Sequence, residues 1–131
     1  MKVTKKHFKV FGRECTKWIR FFGLKEWNII AVRRHLDDEG ALASCHADYC
    51  GRIANLVIDD DWGNEPVTNE LLEICAFHEV CELLLAKLAK LAEAHYAKNI
   101  VEEEIHVIIR KLESSLFKAY TDKKYGKDKR R

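Results

Sequence analysis

The stretch from Glu70 to His95, ELLEICAFHEVCELLLAKLAKLAEAH, constrains this chain more than any other. It is mostly apolar over a helical length, and it sets His78, Glu79 and Glu82 inside the run. Such a pattern predicts a buried helix over about 70–95. Ionisable groups in a buried helix are costly unless they are paired or hold a metal. At about 3.6 residues per turn, His78 and Glu82 fall one above the other, on the stripe that also carries Leu71, Cys75, Leu85 and Ala89. Glu79 projects to the side.

Two ligands one turn apart on a helix, with a Glu directly after the first, are the arrangement of the His-Glu-x-x-His zinc helix, in which that Glu activates a water. Here the second His is Glu82. Imidazole and carboxylate are both ordinary zinc ligands, so His78 and Glu82 are the expected metal ligands and Glu79 the expected general base. The plainer alternative is a buried His–Glu hydrogen-bonded pair without metal. A catalytic zinc takes three protein ligands and keeps one position open. The third is expected from the following helix, where Glu102, Glu104 and His106 are candidates. His106 is the first choice, because a neutral imidazole offsets the carboxylate at 82. Glu104, between Ile100, Val107 and Ile108, is expected to point inward. Glu102 reads as a cap and Glu103 as solvent-facing.

From the start of the chain, residues 4–22 read as an amphipathic helix capped by Thr4. Phe8, Phe11, Cys15, Trp18, Ile19 and Phe22 form its apolar stripe, and Gly23 is its left-handed stop, with Leu24 folding back. Strands are expected at 27–35, 41–48 and 52–59, separated by the acidic turn Asp37-Asp38-Glu39-Gly40 and the tight connection Tyr49-Cys50-Gly51. Short links predict a three-stranded antiparallel meander. The run from Asp59 to Pro66 ends the sheet, and Thr68 or Asn69 caps the long helix. A second helix over about 100–120 is expected, with Asn99 and Glu102 as a capping box and a core stripe of Val101, Ile105, Ile108, Leu112 and Leu116.

At 131 residues the chain suits one domain, expected over 1–120, followed by a basic, disordered tail over 121–131. No run of about 18 uncharged apolar residues crosses a membrane, and the first residues lack the apolar core of a signal peptide. Five cysteines, an odd number with no CxxC pair, point to reduced thiols in a cytoplasm. The net charge is +2, and its basic residues gather at both ends, which read as solvated termini rather than a nucleic-acid contact. Cys45-His46-x-Asp48-x-Cys50 brings potential ligands to one hairpin, but no fourth ligand is evident. Cys75 and Cys81 read as small hydrophobes in the long helix.

The order helix, short sheet, His-Glu helix and second packed helix resembles the minimal zincin core of small gluzincin-like metallopeptidase domains. CAFHEVCELLLAKLAKLA followed by EEEIHVIIRKLE, with CTKWIRFFGLKEWNI and GRIANLVIDDDW before them, is similar to metallopeptidase-like proteins encoded by tailed phages and prophages. The resemblance spans Cys15 to Phe117. It implies an α+β zincin-like fold and a zinc cofactor. His78 and Glu79 match the family motif, Glu82 stands where its second His is usual, and His106 matches a recurrent His of the second helix. It also implies a bacterial host's cytoplasm, and a peptide or protein substrate aligned along the strand at 52–58. A catalytically inactive zincin-fold module that binds a host or phage protein is the alternative.

Overall fold

The computed structural model describes residues 1–38 and 40–126. It is α+β, and it divides into two compact units, Met1–Lys87 and Leu88–Arg131, where the sequence suggested one domain over 1–120.

The first unit opens with helix α1, Lys5–Phe22. Thr4 caps it by accepting from the His7 N–H at 3.2 Å, while His7 Nδ1 accepts from the Thr4 N–H at 3.0 Å. These reciprocal bonds satisfy donors that the first turn leaves open. Gly23 ends the helix at φ 67°, a left-handed conformation in which a Cβ is strained. Leu24 then donates to the Ile19 carbonyl and is buried. Phe11, Cys15 and Trp18 are the fully packed part of the stripe, and the Trp18 ring meets Phe77 edge to face at 4.7 Å.

Strands β1 (Asn28–Arg34), β2 (Ala43–Asp48) and β3 (Ile53–Asp59) form one sheet in the order β1-β3-β2. This corrects the expected antiparallel meander. β2 and β3 do pair antiparallel, as their tight link requires, but β1 runs parallel to β3. The physical reason lies in composition. A central strand is covered on both faces and both edges, and IANLVID is the nearly continuous apolar run, with Ala54, Leu56, Val57 and Ile58 buried. β2, ASCHAD, interleaves Ser44, His46 and Asp48, and its polar alternation suits an edge. The segment 35–42 carries the chain past the end of β3 to the far side of the sheet.

The chain's first residues are tied to the segment after β3. Val3 donates to the Asp60 carbonyl at 2.8 Å, and Lys2 pairs with Asp61 in an isolated bridge. Helix α2, Asn69–Glu93, is capped by Thr68, whose Oγ1 accepts from the Leu71 N–H at 3.2 Å. Leu72, Ala76, Phe77, Val80, Cys81 and Leu83 are its buried side.

In the second unit, α3 spans Lys98–Leu112 and starts after Ala97, with no side-chain cap. The Asn99–Glu102 capping box is therefore corrected: the helix has already begun at Lys98, and Glu102 pairs with Lys98 at 3.9 Å instead. Val101, Ile105 and Ile109 are buried. A π-helical turn, Glu113–Phe117, follows, and Ser114 and Ser115 donate back to the Arg110 and Lys111 carbonyls. The expected stripe is corrected already before that turn: Ile109 is buried where Ile108, 39% exposed, was expected, and Phe117 on the same face is buried where Leu116 was expected. Helix α4, Lys118–Tyr125, carries the buried Thr121. The tail expected to be disordered from 121 is thus helical as far as Tyr125, and its remainder beyond 126 lies outside the described residues. No described helix is long and apolar enough to cross a membrane.

Candidate metal centre

Capping by Thr68 and the apolar side of α2 set the rotation of that helix, and with it the position of every ionisable group it carries. His78 and Glu82 are half-buried, on the edge between the packed side and solvent. Their facing atoms, Nε2 and Oε1, are 3.5 Å apart across one turn. That separation is long for a hydrogen bond. Two donors each about 2.1 Å from a tetrahedral zinc stand roughly 3.4 Å apart, so the pair has the bite of two ligands on one ion. Leu71, Cys75, Leu85 and Ala89, expected on the same stripe, are likewise half-buried.

Glu79, the expected general base, follows His78 on the same turn of α2. It is 7% exposed, more deeply set than its two neighbours in the motif. Its surroundings are legible in the thiols it perturbs. Burial, then the negative charges of Glu79 and Glu82, push the Cys45 thiol up to about 12. Cys15 is also pushed well above the ordinary thiol range, first by burial and then by Glu79 and Glu14. Cys45 of β2 and Cys15 of α1 therefore flank the acidic side of α2, within the first unit. Burial with nearby carboxylates keeps both thiols protonated and poor as nucleophiles.

Three more buried carboxylates belong to this unit and escaped the sequence reading, Glu14, Asp59 and Glu73. Glu14 accepts from Lys17 Nζ at 2.6 and 2.8 Å, an i,i+3 pair that the sequence spacing could have revealed. Burial of Glu73 carried no such signal.

The hairpin constellation at 45–50 separates. Cys45 is half-buried, whereas His46 and Cys50 are exposed, because neighbouring strand residues face opposite sides of the sheet. Asp48 is occupied in the turn, accepting from the Cys50 N–H at 3.0 Å. In the second unit, His106 is half-buried on α3, while Glu102, Glu103 and Glu104 are exposed. The inward orientation expected of Glu104 is not found: it precedes the buried Ile105 and falls on the solvent side of α3.

No family model, curated protein or solved structure matches the chain.

Proposed function

We propose that this chain is a zinc-dependent hydrolase of the peptidase class on a zincin-like scaffold. The observation that carries this reading is the 3.5 Å approach of His78 Nε2 and Glu82 Oε1 on a half-buried helix edge. Their donor set, one imidazole nitrogen and one carboxylate oxygen, suits zinc. His106 is proposed as the third ligand on chemical grounds, since a neutral donor limits the negative charge accumulated around the ion. Zinc, when bound, would supply Lewis acidity, which makes a water acidic near neutral pH and polarises a substrate carbonyl. Glu79 is proposed to accept the proton from the attacking water and return it to the leaving amine. His78 and Glu82 orient the reacting groups relative to Glu79, one residue along the same turn.

The substrate strand needs revision. The strand near 52–58 is β3, whose two edges are already taken by β1 and β2. A peptide aligned by backbone pairing requires a strand with a free edge. β2 has one, and its Cys45 neighbours Glu79 and Glu82. The proposed peptide therefore lies along the outer edge of Ala43–Asp48. The setting implied by the resemblance is a phage-encoded protein in a bacterial host's cytoplasm.

One observation favours a second reading, an inactive zincin-fold module that binds a host or phage protein. Glu79 is 7% exposed, and a general base must reach water. Elemental analysis of protein purified without chelator, beside His78→Ala, separates the two. The hydrolase reading expects about one zinc per chain, lost in His78→Ala, with Glu79→Gln keeping zinc while losing hydrolysis of a peptide library. A folded, metal-free native protein supports the binding module and ends the first reading.

A further inference from the structure

β1 forms one margin of the sheet, and nothing guards it. In the order β1-β3-β2 it has β3 on one side and, among the described residues, no strand on the other. Its inner groups are fixed by their partners. The Asn28 N–H donates to the Arg52 carbonyl at 2.7 Å, and the Arg34 carbonyl accepts from the Asp60 N–H at 3.1 Å. Backbone groups alternate along a strand, so residues 28, 30, 32 and 34 face β3, while Ile29, Ala31 and Arg33 present their N–H and carbonyl groups outward.

Edge strands are ordinarily blunted by brevity, Pro, Lys or a bulge. β1 has none of these. It runs for 7 residues in unbroken register with β3, and its first five, NIIAV, carry no charge. Arginines come only at its end, and the Arg33 guanidinium is drawn back to the Val3 carbonyl at 2.8 Å. Ile30, in the middle of the strand, is 50% exposed.

The strand is also complementary to itself. When two copies of β1 meet antiparallel, outward residues must face outward residues, which puts the symmetry axis on a single position. An axis at Ile29 sets Lys25 against Arg33, and one at Val32 sets Ile30 against Arg34. An axis at Ile30 places Ile30 against Ile30, Ile29 against Ala31, and Glu26 against Arg34. Apolar residues then meet apolar ones, and the two charges that face each other are opposite. Glu26 and Arg34 are both exposed. Arg34 uses one N–H on the His35 carbonyl at 3.1 Å and keeps its others.

We propose that β1 pairs antiparallel with β1 of a second copy of this chain, about a two-fold axis at Ile30, so that two sheets join into one. Ile30 then occupies a non-hydrogen-bonded pair, where facing side chains come closest, and the outward groups of Ile29 and Ala31 gain ladder partners. The outer edge of β2 stays free, so the association is independent of the hydrolase reading.

Sedimentation equilibrium of the full chain over a concentration series tests this, and a monomer–dimer equilibrium is expected. Ile30→Lys, at an exposed position, is expected to remain monomeric with an unchanged circular dichroism spectrum. Glu26→Arg and Arg34→Glu each set like charges opposite one another twice across the axis, and each is expected to raise the dimer Kd about tenfold or more. The double variant Glu26→Arg, Arg34→Glu is expected to restore it. Amides of Ile29 and Ala31 are expected to exchange through fraying in dilute protein and to slow as concentration rises. A chain that stays monomeric overturns the proposal and leaves the β1 edge to an extended segment of another protein. A dimer indifferent to Ile30→Lys, or a double variant no tighter than the single ones, overturns it as well.

Discussion

Cys45 of β2 and Glu79 of α2 are electrostatic neighbours although 34 positions separate their numbers: burial first, and then the Glu79 charge, push the thiol up to about 12. This places a cysteine beside the carboxylate proposed as general base. It also gives the site a pH signature that needs no metal.

Alkaline stability follows from it. A thiol whose folded pKa lies above its unfolded value of about 9 gives stability that is complete below pH 9 and falls as pH rises toward 12, because the unfolded chain releases the proton first. Cys15 acts in the same direction. Urea midpoints measured from pH 8 to 10.5 are expected to fall with pH, and to fall less steeply in Cys45→Ala. Equal slopes would remove Cys45 from the acidic neighbourhood described above.

Thiol labelling is expected to rank with position. Cys50 is exposed on the β2–β3 turn and reacts first with an alkylating reagent at pH 8. Cys15 and Cys81, both buried, react only at the rate of global unfolding. Mass spectrometry of a quenched time course checks the order, and early labelling of Cys15 contradicts the packing of α1.

Zinc linkage tests the proposed centre without an activity assay. An ion that binds only the folded state stabilises it by roughly 2.7 kcal/mol at a hundredfold excess over Kd. Chelator is therefore expected to lower Tm by several degrees in the wild type and to have no effect in a His78→Ala, Glu82→Gln variant. A chelator response that survives in that variant assigns the metal to a different site.

The stop of α1 rests on one backbone conformation. Gly23 has φ 67°, and nothing lies within 4 Å of a Cβ built there, so Gly23→Ala incurs strain and no clash. The expected loss is about 1 kcal/mol, read from urea denaturation. Thr4→Ala at the other end removes the cap to His7 and is expected to cost about as much.

What could be read beforehand was local. The Thr4 cap, the Gly23 stop and three strands within two residues of their ends all follow from short-range rules, and so does α2 with His78 facing Glu82 one turn on. Strand order was not legible, because short links favour a meander and the competing pull, the need of Ile53–Asp59 for a covered central position, is a tertiary one. The depth of Glu79 depends on which elements cover α2, and periodicity within one helix does not contain that. The open edge of β1 required the strand order itself. The second helix's stripe runs one residue later than its apolar spacing suggested, through Ile109 and Phe117 rather than Ile108 and Leu116, because which of two adjacent apolar residues faces inward is decided by the elements packed against the helix.

The central place of β3 also sets how this sheet comes apart. Successive amides of β3, such as those of Leu56 and Val57, point to opposite flanks, so the strand is freed only when the ladders to β1 and β2 both dissolve. Solvent deuterons should reach them last, on the timescale of global opening, while the outward-facing amides of β1 and β2 exchange through fraying. The strand richest in oily side chains is thereby the clasp of the first unit.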